Sequence, residues 1–179
     1  MQYAIELYFD EKTEEKLWAL GRHVSESGIS DGWMKYKTRP HITLACFSDA
    51  DEELCVQKLK AFAKECPRIP AYIGSVGMFT DTGVVFASPI MTSKMYDLQR
   101  KLHEQMSGFD TTGWEWYLPD RWVPHCGLAM TEGEPRENFF KAADLILHEF
   151  EKLAGEYVSV GLVKITCPVQ ELVTFPLGE

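Results

Sequence analysis

The chain is predicted to fold as an α+β protein made from one duplicated unit. The first observation behind this is element order: each half reads strand, helix, aromatic loop, Pro-His strand, helix, strand. The second is a set of matching residues, since Pro40, His41, Leu44 and Ala45 recur as Pro124, His125, Leu128 and Ala129, at an offset of 84. The third is that Ser75-Val76-Gly77 recurs as Ser159-Val160-Gly161 at the same offset of 84. Two separated matches sharing one long offset indicate a duplicated unit rather than a solenoid of short repeats. Such a unit places two equivalent antiparallel sheets side by side, helices outside, about an approximate twofold axis. The expected organisation is a single domain over 1–179 with pseudo-repeats of about 1–80 and 81–179.

The elements follow from local pattern. Tyr3 to Phe9 reads as a strand with Tyr3, Ile5, Leu7 and Phe9 on one face. Thr13 can cap a helix reaching about Ser27, with Leu17, Leu20 and Val24 as its stripe and Gly28 as its stop. Residues 29–39 read as a loop. His41 to Phe47 alternates as a strand. Asp49 or Asp51 opens a helix with the stripe Cys55, Leu59, Phe62 and Cys66, ended by Pro67 and Pro70. Strands at about 71–79 and 83–88 are joined by Asp81-Thr82-Gly83, a hairpin signal. A helix over about 92–107 carries Met95, Leu98, Leu102 and Met106. A Trp-rich loop leads to the strand 124–130. A helix over about 135–153 buries Phe139, Ala143, Ile146, Phe150 and Leu153, and strands near 156–166 and 169–175 complete the chain.

Composition bounds the function. The 179 residues include 18 Lys+Arg and 27 Asp+Glu, a formal net charge of −9. With 45% apolar and 25% charged residues the chain is an ordinary globular one. The acidic balance argues against tight binding to long nucleic acid, which needs a basic footprint. A small anionic substrate remains compatible, because a few local donors hold one phosphate. No apolar run is long enough for a membrane span, and no signal-peptide pattern opens the chain, so a cytoplasmic location is expected. Five widely spaced cysteines form no C-x-x-C pair or zinc cluster and are expected to be reduced, mostly buried thiols; no metal and no cofactor is expected.

His41 and His125 are the residues that carry chemistry. A twofold relation between halves brings equivalent positions together near the axis. In a strand, residues i and i+2 share a face, so Thr43 points with His41, and Gly127 points with His125. Two imidazoles across a cleft can hold complementary protonation states near neutral pH, one accepting a proton from an attacking water or hydroxyl and the other donating to the leaving oxygen. A hydroxyl two residues on adds a phosphate donor. The plain alternative is a pair of structural histidines, but the duplication keeps both at one equivalent place.

Arg39-Pro40-His41-Ile42-Thr43-Leu44-Ala45 and Val123-Pro124-His125-Cys126-Gly127-Leu128-Ala129 resemble the paired H-x-T/S motifs of the two-histidine phosphoesterase superfamily. That superfamily includes the 2′-5′ RNA ligase-like proteins and cyclic nucleotide phosphodiesterases. The resemblance covers nearly the whole chain. It implies a bilobal α+β fold with the motifs facing each other across a central groove. It also implies metal-independent action on 2′,3′-cyclic phosphate or 2′-5′ phosphodiester linkages of small nucleotides or RNA ends. By that resemblance His41 and His125 are the acid–base pair and Thr43 a phosphate donor. Gly127 departs from the pattern, standing where the family has Thr or Ser, and it keeps open a second function: a non-catalytic binder of a phosphorylated ligand.

Arg39 and Arg121 precede the histidines, and each is either a phosphate contact at the cleft rim or a solvated surface arginine. Trp33, Tyr36, Trp114, Trp116 and Trp122 crowd the two loops before the motifs, where an aromatic can stack on a base or anchor a loop. Cys126 adjoins His125, but neighbouring strand residues point to opposite faces, which rules out a Cys–His couple. His23, His103 and His148 are expected on helix surfaces. The sequence leaves the oligomeric state and the assignment of acid and base open.

Overall fold

A computed structural model describes residues 2–109 and 113–178. Its elements are β1 (Tyr3–Phe9), α1 (Glu11–Glu26), α2 (Gly32–Tyr36), β2 (His41–Phe47), α3 (Glu52–Glu65), β3 (Ile69–Phe79), β4 (Val84–Pro89), α4 (Ser93–Gln105), a 3-10 turn (Glu115–Tyr117), β5 (Cys126–Met130), α5 (Arg136–Glu149), β6 (Leu153–Lys164) and β7 (Gln170–Pro176). The α+β class is as expected. The strands pair antiparallel in one seven-stranded sheet, in the order β2-β1-β6-β3-β4-β5, with β7 also on β6. The two expected sheets are thus hydrogen-bonded to each other, and the β3–β6 pairing joins them.

That junction carries the internal symmetry. Ile69 to Ile73 pairs with Leu153 to Tyr157, and Ala71 lies directly opposite Gly155, its own counterpart at the offset of 84. The long strands β3 and β6 each pass from this junction into a different set of partners. The last strand of the first half, β3, continues along β4 of the second half. In the second half, β6 continues along β1 of the first. The helices cross over in the same way: α1 packs against β5 and α5, while α4 packs against α3 and β2. One large apolar core runs beneath both halves, from Ile5, Leu7, Leu44 and Leu59 to Val85, Leu102, Leu128 and Ile146.

Local differences from the pattern have local causes. Asp10, not Thr13, caps α1: its carboxylate accepts from the Thr13 N–H at 3.1 Å and from the Thr13 hydroxyl at 2.8 Å. It also accepts from the Glu156 N–H at 2.7 Å, so one acid ends β1 and ties it to β6. Within 29–39 the short helix α2 replaces the expected loop. It closes on Lys37 in the left-handed region (φ 50°) and buries Trp33. A Cβ on Gly32 would sit 1.9 Å from the Met130 carbonyl oxygen, so α2 lies on β5 more closely than any side chain permits. The Asp81–Gly83 hairpin forms, with Gly83 at φ 65°. The final helix is shorter than expected. It ends at Glu149, because Leu153 already begins β6.

All seven residues of β1 are buried, including Glu6 and Tyr8 on the face away from Ile5 and Leu7. Both faces of this strand are covered, not only the one that alternation marks. No helix among the described residues is long and apolar enough to cross a membrane.

Candidate active site

The first histidine opens β2. Its Nδ1 lies 2.6 Å from the carbonyl oxygen of Arg39, two residues back, so Nδ1 carries a proton and donates it there. Its Nε2 lies 3.3 Å from Oε1 of Glu6. Both ring nitrogens therefore have an oxygen neighbour. The His41 side chain is one-fifth exposed, so its ring is within reach of a ligand. The other oxygen of Glu6 accepts from the Tyr8 hydroxyl at 2.9 Å. Burial pushes the Glu6 carboxyl above its usual range, against the pull of His41 charge and the Tyr8 hydrogen bond.

The second histidine immediately precedes β5 rather than lying within it. Its Nδ1 lies 2.7 Å from the carbonyl oxygen of Val123, again two residues back. The two prolines thus sit inside the same small device, a carbonyl that fixes each imidazole tautomer and leaves Nε2 as the working nitrogen. Around His125 the wall is aromatic: its ring lies 4.8 Å from that of Phe79, edge-on, and 5.4 Å from that of Phe86. Burial holds the His125 imidazole below its ordinary value, and the charge of His41 works in the same direction against the Val123 carbonyl. Strands β2 and β5 pack together, with the His41 backbone beside the Cys126 thiol, so the two histidine motifs meet.

Register shows how the halves differ. Glu6 pairs with Thr43 across β1–β2, and Phe86 pairs with Gly127 across β4–β5. Thr43 and Gly127 are motif equivalents, so Glu6 and Phe86 are equivalents too. One histidine therefore has a carboxyl beside it and the other a phenyl ring.

The third motif positions also differ. Thr43 is buried, with its side chain beside the Tyr117 phenol. Beside Gly127, the point where a Cβ would stand lies 3.8 Å from both Cδ1 and Nε1 of Trp33. Trp122, from the second half, donates its indole N–H to the Thr43 carbonyl at 2.9 Å.

Arg39 is held elsewhere. Its guanidinium makes a bidentate pair with Glu14 at 3.0 and 2.8 Å and lies 4.2 Å over the Tyr8 ring. Arg121 pairs with Glu115 on the surface. Cys126 is fully buried, and burial pushes its thiol up to about 12, which leaves it inert near neutral pH. His103 corrects the surface expectation: it is half-buried, with Nε2 3.1 Å from the Leu44 carbonyl. His23 pairs with Glu149. Among the described residues no cluster of three or more His, Cys, Asp or Glu side chains is placed to hold a metal ion. Pattern reasoning passed over Glu6, Tyr8, Phe79 and Phe86. The signal available for Glu6 was an acid inside the otherwise apolar run Tyr3 to Phe9.

A family model described as the 2′-5′ RNA ligase superfamily matches residues 16–160. The chain belongs to that superfamily. As a 2′-5′ RNA ligase superfamily protein, of the two-histidine phosphoesterase class, it shares its fold with solved structures across almost its whole length. One is TT0787 of Thermus thermophilus, at 18% identity and TM-score 0.62, covering 99% of this chain and 98% of that one. Another is E. coli LigT complexed with 3′-AMP, at 14% identity and TM-score 0.59, with coverage of 99% and 98%. A structure described as a phosphoesterase matches at 15% identity and TM-score 0.57, with 99% of both chains covered. No curated protein gives a significant sequence match.

Proposed function

We propose that this superfamily member is a metal-independent phosphoesterase acting on 2′,3′-cyclic phosphate or 2′-5′ phosphodiester linkages of small nucleotides or RNA ends. The observation that carries the reading is the paired imidazole geometry, with each Nδ1 committed to a carbonyl two residues back at 2.6 and 2.7 Å. Proton placement then separates their roles. No acceptor stands at His125 Nε2 among the described residues, and its aromatic wall favours the neutral ring, so it takes the proton from the attacking water. The water oxygen bonds to phosphorus and the ribose oxygen leaves. His41, whose Nε2 stands beside Glu6, protonates that oxygen. Thr43 donates to a phosphoryl oxygen and Gly127 leaves space beside it. With the Arg39 guanidinium engaged by Glu14, the anion is held chiefly by neutral donors and the proton on His41. The net charge of −9 suits a short substrate rather than long nucleic acid.

The test is turnover of a 2′,3′-cyclic nucleotide by protein stripped with chelator, followed by phosphorus NMR. A new phosphomonoester signal is expected; a folded protein with no turnover sinks the enzymatic reading. Gly127 favours one rival, a non-catalytic binder, which the same sample reveals by binding a nucleoside 3′-phosphate without converting the cyclic compound.

A further inference from the structure

The indole of Trp33 is wedged between the two halves. Its six-membered ring lies against Gly21 of α1, where an added Cβ would come within 2.4 Å of Cζ3 and 2.5 Å of Cε3. Trp18 packs edge-on at 4.7 Å between centroids. The opposite, pyrrole edge faces Gly127, with Nε1 and Cδ1 each 3.8 Å from the point where a Cβ would be. Trp33 is buried, at 5% exposure, yet its N–H has no hydrogen-bond partner among the described residues. Another buried tryptophan, Trp122, spends its N–H on the Thr43 carbonyl at 2.9 Å. A buried indole N–H ordinarily finds an acceptor. Gln99 Oε1 is the fully enclosed side-chain polar atom left without a partner among the described residues. The Trp33 N–H is therefore not sealed in; it opens beside Gly127, on the strand face that His125 shares.

We infer that the Trp33 indole N–H is the second donor to the bound phosphoryl group, replacing the hydroxyl that Gly127 lacks. This rests on reading the groove as a phosphate site. Glycine at 127 and tryptophan at 33 then form one unit: a side chain at 127 would come between the indole edge and the anion. The donor is fixed by packing on Gly21 and Trp18 rather than by a rotatable hydroxyl. It also places an aromatic edge against the ligand, which suits a phosphate carrying a ribose or base more than a bare ion.

Two measurements test this. In the first, the Trp33 indole cross-peak of ¹⁵N-labelled wild-type protein, assigned through bonds, is followed during titration with inorganic phosphate. A saturable downfield shift is expected; a stationary Trp33 peak overturns the inference. In the second, Trp33→Phe keeps a ring and removes the N–H. It should lower kcat/KM on a 2′,3′-cyclic nucleotide roughly tenfold or more, the scale of a hydrogen bond to a charged group. Adding Gly127→Thr to Trp33→Phe should recover most of that loss by restoring a hydroxyl. Unchanged kcat/KM in folded Trp33→Phe overturns the donor role. If wild-type protein turns over no cyclic nucleotide, the phosphoesterase reading fails, and the phosphate titration still decides the role of Trp33.

Discussion

Glu6 and Phe86 occupy the same register in the two halves and present opposite chemistry to the two histidines. Glu6 places a carboxyl oxygen 3.3 Å from His41 Nε2, while the Phe86 ring stands 5.4 Å from that of His125. A symmetric scaffold with symmetric surroundings would give both imidazoles the same proton affinity. The proposed reaction gives the two imidazoles different tasks, and one charged-for-apolar exchange on the neighbouring strands gives them different surroundings.

The pair should behave as one unit. His41→Ala and His125→Ala should each lower kcat on a 2′,3′-cyclic nucleotide by about 10²-fold or more, and the double variant should be little worse than either. Additive losses in steady-state kinetics would show that the two imidazoles act in separate steps.

The pH profile should be lopsided. In the proposed reaction His125 is the neutral base, and burial holds it below the ordinary histidine value of about 6.5. The acid limb of kcat/KM should therefore have its midpoint below about 6.5. Phe86→Ser admits water beside the ring, weakens that desolvation and should move the midpoint upward.

Glu6 should impose a pH-dependent cost on stability. His41, Tyr8, Arg39 and Glu171 face it, with Cys46 and Tyr117 beyond, and burial raises it above its unfolded value of about 4.3. Between the unfolded and the folded value the native state binds more protons, so stability falls as pH rises through that window. Glu6→Gln lacks this dependence. The difference in Tm, variant minus wild type, should grow from about pH 4 upward in thermal melts, and a difference independent of pH would contradict the burial argument.

Two glycines should respond oppositely to a side chain. Gly127→Thr meets Trp33 at 3.8 Å, an ordinary contact, and a strand accepts a β-branched residue, so Tm should stay within a few degrees. Gly32→Ala drives a Cβ into the Met130 carbonyl, and because backbone cannot yield cheaply it should cost about 1–3 kcal/mol or more, read by denaturant titration.

How much of this was written in the residues depends on range. The Pro-His motifs, most of the helix stripes and the offset of 84 are local or repetitive, and they lie close to where the pattern puts them, although His125 precedes β5 and the last helix stops before Phe150 and Leu153. The pattern points to Thr13 as the cap of α1, whereas Asp10 holds that place and also reaches Glu156, 146 residues away. Helix α2 is only five residues long, and what stabilises it is close packing on β5, which no local propensity reports. Placing Glu6 beside His41 required the β1–β2 register. The aromatic box of Phe79 and Phe86 required β4 beside β5. The Arg39 guanidinium, which looked free to meet an anion, is paired with Glu14 because α1 runs past the start of β2.

The Ala71–Gly155 pairing also bears on ancestry. Because β3 serves the strands of the second half and β6 those of the first, neither half of the chain closes its own sheet. A polypeptide cut at the Asp81–Gly83 turn would give two fragments, each with one histidine and each missing the strand its neighbour provides. Neither would act alone, and mixing them should restore both fold and turnover. The same exchange describes a homodimer of half-length subunits, one imidazole apiece, later fused head to tail. A fused chain leaves its two copies free to differ, as Glu6 in one half and Phe86 at the same register in the other do.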